Sequence, residues 1–386
     1  MDFTETDDHT MLRSAVRALA ADFGHEYYAR CVREDRRPEE LWAAAAELGF
    51  LSVHLPEEYG GGGAGISELA IVCEEFAACG TPLLLILVSA AISAEVLAKF
   101  GSEAQRERWL PGLCGATKMV FAITEPDAGT NSHRISTTAT RDGDSYVLRG
   151  VKTYISGVDE ADAILVVCRT GTDEASGRAR LSMVVVPTDA PGLERTLIPM
   201  EIRSPEKQFQ LFFDDVVVPA DHLIGTEGDG LRQVFEGLNP ERIMGAAICT
   251  GIGRYALDRA AQYANDRAVW GVPIGSHQGV AHPLAQAKIE LELARLMNQK
   301  AAWLHDHATD RIAAGEAANM AKYAAGEAGM HCLDQAIQTH GGNGLSSEYG
   351  LADLWGMVRL LRIAPVSREM VLNFVATSSL GLPKSY

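Results

Sequence analysis

The sequence has no excess of positive charge. Its 386 residues include 34 Lys and Arg against 51 Asp and Glu, which gives a net charge of −17. A protein that binds nucleic acid needs a basic surface, so we expect no nucleic-acid partner. An anionic ligand such as a nucleotide must be held by a local basic patch, because the overall field repels it.

Long apolar runs and paired cysteines are also missing. The most apolar run, at residues 83–92, is too short for a membrane span of ~20 residues and predicts a buried helix instead. The first eight residues are acidic where a secretory signal would be basic, so we expect no such signal. The seven cysteines are dispersed, with no Cys-x-x-Cys pair. This distribution is typical of reduced, buried thiols and predicts a cytoplasmic protein.

Two signatures of catalytic chemistry are absent as well. Without a His-Glu-x-x-His or Cys-x-x-Cys framework, the sequence predicts no metal site. Without a Gly-x-Ser-x-Gly segment, a hydrolase would lack its nucleophile. The spacing Gly60-x-Gly62-x-x-Gly65 matches a dinucleotide-binding fingerprint, but no alternation of strands and helices follows it. We interpret it as a turn between helices.

Apolar periodicity divides the sequence into three regions. Helical spacing dominates residues 1–118, a period of two dominates residues 119–228, and helical spacing returns over residues 229–386. Short strands separated by turns, without helical crossovers, predict an antiparallel sandwich or barrel in the middle region. The predicted fold class is therefore α+β, with an N-terminal helical domain, a middle β domain and a C-terminal helical bundle.

Two distant segments carry the most specific pattern. Residues 121–130 read Phe-Ala-Ile-Thr-Glu-Pro-Asp-Ala-Gly-Thr, and residues 338–344 read Gln-Thr-His-Gly-Gly-Asn-Gly. Small residues and turn formers beside an apolar run are typical of backbone that closely approaches a ligand. Together the two segments resemble the signatures of the acyl-CoA dehydrogenase family, and the resemblance extends over nearly the whole chain, including its helix–sheet–helix layout.

The resemblance implies a cofactor, a reaction and partners. The cofactor would be FAD, and the reaction would be α,β-dehydrogenation of an acyl-CoA thioester to the trans-2-enoyl-CoA. The electrons would pass to an electron-transfer flavoprotein or a similar acceptor. Family members share FAD between subunits, so a homodimer or homotetramer is implied too.

The resemblance also assigns cofactor contacts, in two sets of residues. The flavin ring would contact residues of the middle region, namely Phe121, Ile123, Thr124, Thr130, Tyr154 and Ser156. An aromatic ring and a hydroxyl two residues apart on one strand face suit a flavin, because the ring packs and the hydroxyl donates a hydrogen bond. The FAD of a neighbouring subunit would be held by Arg267, Trp270, Gln278, Gln338, Gly341 and Gly342. Arginine suits a diphosphate because its planar fork makes paired hydrogen bonds. Ser367 and Glu369 match further positions beside FAD.

The catalytic base is the unusual feature of this sequence. In many family members a Glu serves as the base at the position that aligns with Pro365, and proline cannot take a proton. Isovaleryl-CoA and some long-chain members carry the Glu in a Glu-Arg-Leu-x-x-Ala segment instead, and Glu241-Arg242-Ile243 begins the matching segment here. The resemblance thus predicts that Glu241 takes the α-proton while the β-hydride goes to flavin N5. Arg242 would modulate the charge of Glu241, and Arg242 and Thr130 would contact the substrate. Without the resemblance, Glu241 reads as a first-turn acid stabilised by the helix dipole.

Pro365 leaves one further question open. In the family, the backbone N–H at this position holds the thioester oxygen, and proline has no N–H. The Val366 N–H or the Ser367 hydroxyl could replace it, the alignment could shift by one residue, or the substrate could sit differently. Alternative functions on the same fold are an enoyl or acyl thioester reductase, an acyl-CoA oxidase, a dehydrogenase of acyl groups on a carrier protein, and a non-enzymatic flavin-binding or DNA-associated scaffold.

Overall fold

Helices occupy both ends of the chain and a sheet occupies its middle, which confirms the predicted α+β order. The computed structural model describes residues 4–175 and 177–384. The N-terminal region contains α1 (Asp7–Arg33), α2 (Glu39–Glu47), α3 (Ile66–Ala78), a π-helical segment (Ile86–Ala94), α4 (Glu95–Phe100) and α5 (Glu103–Cys114). The π-helical segment is buried along its whole length, as its apolar run predicts.

The middle region forms a mostly antiparallel sheet. Its strands are β1 (Met119–Ala122), β2 (Thr138–Asp142), β3 (Ser145–Ser156), β4 (Ala163–Thr172), β5 (Ala179–Pro187), β6 (Leu193–Ile198), β7 (Gln208–Pro219) and β8 (Leu223–Ile224). The strand order is β6-β7-β3-β2-β4-β5-β8, and β1 pairs with β4. The pairings of β1 and β2 with β4 are parallel, and the others are antiparallel.

Two features of the sheet depart from the sequence pattern. The edge strand β6 was not predicted, because most of its side chains are exposed and show no apolar alternation. Strand β3 continues to Ser156 through two shifts of its register with β7, which interrupt the period of two. A hairpin joins β2 to β3, and Gly143 adopts a φ of 56° in its turn.

The C-terminal region is a helical bundle. It contains α6 (Gly230–Asp266), the short hairpin β9 (Ala268–Val269) and β10 (Val272–Pro273), α7 (Gln278–His307), α8 (Arg311–His340), α9 (Trp355–Ile363) and α10 (Arg368–Phe374). A second π-helical segment follows at Val375–Ser379. In the described part of the chain, no helix has both the length and the apolar character needed to cross a membrane.

A buried ionic cluster joins the N-terminal helices to the bundle. Glu75 of α3 is fully buried and accepts hydrogen bonds from Arg13 and Arg17 of α1 and from Arg254 of α6. Its neighbour Glu74 accepts hydrogen bonds from Arg13 and from Arg295 of α7. Each carboxylate is therefore compensated by more than one guanidinium, as burial of charge requires.

Candidate active site

Glu241 lies in the interior of α6 and not in a first turn. The helix begins eleven residues earlier, at Gly230, and Pro240 lies within it. The interpretation of Glu241 as a first-turn acid stabilised by the helix dipole is therefore wrong, because the positive end of the dipole is three turns away. Glu241 is half-buried, and its Oε2 atom is sealed from solvent and has no hydrogen-bond partner among the described residues.

Burial controls the acidity of this carboxyl group. It raises the pKa of Glu241 to about 8, and the positive charges of Arg242 and Lys322 oppose the rise. Arg242 is buried; its Nη1 donates to Asn239 Oδ1 at 2.6 Å, and its guanidinium lies 5.7 Å from the centre of the Phe235 ring. The result is a carboxyl group that exchanges its proton near neutral pH, as a general base requires.

Lys322 of α8 acts electrostatically on Glu241, and the sequence pattern did not indicate this residue. Its side chain is buried, and its Nζ donates to the carbonyl oxygen of Arg362 at 2.9 Å and to that of Val366. Burial lowers the pKa of Lys322 to about 8. A single lysine in an alanine-rich helix carries no local signal of this kind, because its partners lie about 40 residues further along the chain.

Pro365 lies in the loop between α9 and α10, beside these carbonyl groups. The donors nearest to it in sequence are the Val366 N–H and the Ser367 hydroxyl. Ser367 caps α10, since its Oγ accepts a hydrogen bond from Met370 N at 3.3 Å. Glu369 is exposed and acts electrostatically on Lys322. The two residues predicted beside FAD thus lie next to the loop that Lys322 holds.

The loop after β1 is held by a buried ion pair. Lys152 is fully buried on β3, and its Nζ donates to Glu125 Oε1 and to the Ile123 carbonyl, both at 2.9 Å. Glu125 also accepts hydrogen bonds from the backbone N–H groups of Ser136 and Thr137. These bonds, with that from Thr153 N to Thr124 O at 2.9 Å, fix residues 123–125 against β3.

The side chains predicted to contact the flavin ring lie around this loop. Phe121 is buried on β1, Ile123 and Thr124 are half-buried just after it, and Thr130 is exposed in the following turn. Tyr154 is 58% exposed and has a φ of 57°, which is rare for a non-glycine residue. It lies where the register of β3 and β7 shifts, so simple strand alternation does not describe its position.

Ser156 is held by a residue that sequence reasoning missed. Gln208 Nε2 donates to Ser156 Oγ at 2.8 Å, and Ser156 Oγ lies 3.1 Å from Gln208 Oε1. Tyr154 and Ser156 both lie on the less buried side of β3, whereas Thr153 and Ile155 are buried. The aromatic ring of Tyr154 and the hydroxyl of Ser156 therefore lie on the same side of β3, as predicted. A bulge, and not regular strand alternation, places them there.

The second predicted set lies at the far end of α6. Trp270 and Gly271 form the turn of the β9–β10 hairpin, with φ values of 56° and 85°, and Trp270 is 88% exposed. The remaining members of the set, Arg267, Gln278, Gln338, Gly341 and Gly342, are exposed too. Asn343 Nδ2 donates to the hydroxyl of Tyr263 at 3.1 Å, which joins the Gly341–Leu345 turn to the end of α6.

The second set lies far from Glu241 along α6. Arg267 follows Glu241 by 26 residues along a continuous helix, which corresponds to about 39 Å at 1.5 Å per residue. A single ribityl chain, which separates the flavin ring of FAD from its diphosphate, is much shorter. The hairpin residues are therefore remote from Glu241 within one protomer.

The π-helical segment connects the sheet to the Glu241 end of α6. Met119 N of β1 donates to Ser89 Oγ at 3.0 Å. On the other side, α6 packs closely on the segment at Gly237, where an added Cβ would lie 3.0 Å from Ile92 Cγ2. Among the residues described, no group of three or more His, Cys, Asp and Glu side chains is arranged to hold a metal ion.

Comparisons with known proteins agree with this architecture. Sequence models of the acyl-CoA dehydrogenase N-terminal, middle and C-terminal domains match residues 6–117, 120–216 and 228–380. "Acyl-CoA dehydrogenase FadE12" of Mycobacterium tuberculosis is 58% identical over 385 residues, covering 100% of this chain and 99% of the relative.

Two solved structures extend the comparison. The structure of the glutaryl-coenzyme A dehydrogenase glutaryl-CoA complex is 33% identical with a TM-score of 0.94, over 100% of this chain and 98% of the other. The FAD complex of PigA is 26% identical with a TM-score of 0.92, over 99% and 100%. All three family domains are present in order, and the chain therefore belongs to the acyl-CoA dehydrogenase family, a group of flavin-dependent dehydrogenases.

Proposed function

We propose that this protein is an FAD-dependent acyl-CoA dehydrogenase in which Glu241 removes the α-proton of an acyl-CoA thioester. The observation that carries the proposal is the Glu241 carboxyl, whose Oε2 is buried without a hydrogen-bond partner among the described residues. The product is the trans-2-enoyl-CoA, formed as the α-proton goes to Glu241 and the β-hydrogen leaves with its electron pair. FAD, when bound, supplies the hydride acceptor at N5.

The residues around Glu241 have supporting roles in this proposal. The α-proton of a thioester is weakly acidic, so its removal needs a base with a raised pKa in an apolar setting. Arg242 provides a positive charge that stabilises the ionised base, and it contacts the substrate together with Thr130. The charge role of Arg242 is supported by its burial and its electrostatic effect on Glu241.

The middle sheet fits a flavin ring. The residues proposed to line it combine one buried and one exposed aromatic ring, a half-buried apolar side chain and hydroxyls, namely Phe121, Tyr154, Ile123, Thr124, Thr130 and Ser156. The left-handed backbone of Tyr154 at a bulge supports this role, because strained positions of this type concentrate at ligand sites. Ser367 and Glu369 are proposed to lie beside the same cofactor.

We also propose that two protomers share each FAD, as a homodimer or homotetramer. The distance along α6 supports this arrangement, since Arg267, Trp270, Gln278, Gln338, Gly341 and Gly342 would reach the FAD of a partner. Trp270 at the hairpin tip is a large, 88% exposed side chain, and Ile289, Leu293 and Leu296 form an exposed apolar stripe on α7. Such surfaces are typical of protein interfaces.

The remaining assignments follow from family membership and the sequence pattern. An electron-transfer flavoprotein or a similar acceptor would reoxidise the flavin, and the protein would act in the cytoplasm. The described cysteines are free, which agrees with a reducing compartment. We further propose that the three regions are domains that divide near residues 118 and 229.

A panel of acyl-CoA thioesters tests the proposed function. Protein loaded with FAD is mixed without oxygen with straight and branched acyl-CoAs of graded length. We expect at least one of them to bleach the flavin, with an enoyl-CoA two hydrogens lighter as the product. Reduction only by an acyl carrier protein thioester, rapid peroxide formation in air, or flavin oxidation by enoyl-CoA alone would each favour one alternative enzyme. No reduction by any thioester would contradict the proposal.

The reaction should accelerate with rising pH. Glu241 acts as a base only when ionised, and burial raises its pKa to about 8. The rate of flavin reduction should therefore rise about tenfold from pH 6 to pH 7 and level off above the pKa. Stopped-flow measurements across this range, at saturating acyl-CoA, give the midpoint directly. A rate that does not change over the range, or that falls with pH, would exclude Glu241 as the titrating base.

A further inference from the structure

We propose that Lys322 is a positioning residue of the active site, which anchors the loop containing Pro365 and holds a positive charge beside Glu241. The inference rests on the proposed role of Glu241 as base. Its starting point is the pair of hydrogen bonds from Lys322 Nζ to the carbonyl oxygens of Arg362 and Val366. These two carbonyls lie on either side of Pro365, so one buried ammonium group holds both arms of the loop.

Close helix packing places this loop next to Glu241. On α8, an added Cβ at Gly326, one turn after Lys322, would lie 3.6 Å from the Cα of Arg362. On α6, an added Cβ at Gly245, one turn after Glu241, would lie 3.6 Å from Leu361 Cδ2. The end of α9 is therefore packed against both α6 and α8, about one helical turn from each of the two charged residues, and the loop after it is bonded to α8 through Lys322.

The charges around the pair come from three helices. Arg242 and Lys322 act on Glu241. Arg242, Glu241 and Cys249 of α6 and Glu369 of α10 act on Lys322. A buried ammonium with two carbonyl acceptors keeps its geometry, because moving it would leave a charge unsolvated. Its charge favours the ionised form of Glu241 and so assists removal of the substrate proton at neutral pH.

This arrangement explains how a loop with proline at the usual base position remains useful to the site. Pro365 gives the loop neither a carboxylate nor a backbone N–H at this position. Its remaining contribution is to form a fixed wall beside Glu241, and Lys322 is the group that fixes it. Glu327 supports the same segment from its outer side, by accepting hydrogen bonds from Arg362 at 2.7 and 2.8 Å.

Three variants separate the charge of Lys322 from its effect on the loop. Lys322→Met removes the charge and both hydrogen bonds, whereas Lys322→Arg keeps the charge. Glu327→Gln weakens the bonds from Arg362 and so loosens the same segment, but Glu327 is not among the charges that act on Glu241. The flavin-loaded proteins are compared by the pH profile of anaerobic flavin reduction by acyl-CoA. We expect Lys322→Met to move the midpoint about one pH unit upward, with roughly tenfold slower reduction at pH 7. Lys322→Arg and Glu327→Gln should keep the wild-type midpoint.

Amide hydrogen exchange of residues 362–368 provides a readout that does not require turnover. We expect faster exchange in Lys322→Met than in the wild type, with protection regained in Lys322→Arg. An unchanged midpoint and unchanged exchange in Lys322→Met, or an equal shift of midpoint in Glu327→Gln, would overturn the proposal. If Lys322→Met does not retain flavin, Lys322→Gln is measured in its place. A Lys322→Arg variant that lacks the wild-type midpoint and the wild-type exchange protection would also overturn the proposal. A wild type that no acyl-CoA reduces would instead count against the proposed dehydrogenation, while hydrogen exchange still decides the anchoring role.

Discussion

Replacing Glu241 with Gln should abolish reduction of the bound flavin by acyl-CoA while leaving the flavin content unchanged. Glutamine has nearly the same shape but cannot accept the α-proton, and loss of a general base slows such steps by about 10²–10⁴-fold. Stopped-flow spectroscopy without oxygen measures the rate. Glu236→Gln is the matched control, because Glu236 lies on the same helix and is paired with Lys99 at 2.9 Å. It should keep the wild-type rate, and comparable reduction in Glu241→Gln would remove Glu241 from the chemistry.

The same substitution should stabilise the fold at neutral pH. A carboxyl group whose pKa rises from 4.5 to about 8 on folding keeps its proton in the native state while the unfolded chain releases it. The group therefore destabilises the fold increasingly as pH rises from about 4.5 to 8. At pH 7 the difference corresponds to roughly 3 kcal/mol. Denaturant unfolding of both proteins should show the gain at pH 7 and its disappearance at pH 4. A less stable Glu241→Gln variant at pH 7 would indicate a structural role.

Replacing Lys152 with Met should destabilise the protein and weaken FAD binding. Lys152 and Glu125 form a fully buried pair, in which Lys152 lowers the pKa of Glu125 to about 2 despite opposing burial. Removing one member leaves the other charge uncompensated, at a cost of about 3–5 kcal/mol. The Ile123 carbonyl loses its donor as well, so the loop proposed to line the flavin should loosen. Denaturant unfolding and titration with FAD measure the two effects.

A surface pair provides the comparison for this experiment. Lys288 and Glu292 of α7 form an exposed i,i+4 pair, and such pairs contribute about 0–1 kcal/mol. Lys288→Met should therefore leave both stability and FAD affinity near the wild type. Adding Glu125→Gln to Lys152→Met should recover part of the lost stability, because it removes the uncompensated charge. Equal stability of Lys152→Met and Lys288→Met would mean that the buried pair does not hold the loop.

The sequence predicts the order of helices and strands well because burial imposes its period on the side chains. Strand β6 is not predicted from the sequence, because most side chains of this edge strand are exposed and burial imposes no apolar alternation on them. The sequence also does not predict that Glu241 lies in the middle of α6, because a proline such as Pro240 is typical of the first position of a helix. Resemblance to a family identified Glu241, but its burial and its neighbours depend on tertiary packing.

Contacts between distant segments account for the other site features that sequence reasoning missed. Lys322 binds carbonyl groups on a loop about 40 residues away, and Gln208 pairs with Ser156 across two strands. Neither contact leaves a local pattern. The left-handed backbone of Tyr154 has a similar origin, because a register shift between β3 and β7 imposes it. Pairings of this kind are determined by how the elements pack and not by the residues beside them in the chain.

Deuterium exchange at the α-carbon tests the role of Glu241 most directly. The probe is an acyl-CoA whose third carbon is replaced by sulfur, which can lose its α-proton but has no β-hydrogen to give as hydride. Incubated in ²H₂O with the flavin-loaded wild type, it should gain deuterium at the α-carbon at a rate that rises with pH towards 8. Glu241→Gln should exchange no faster than buffer. Rapid exchange by Glu241→Gln, or none by a wild type that is reduced by ordinary acyl-CoA, would contradict the account.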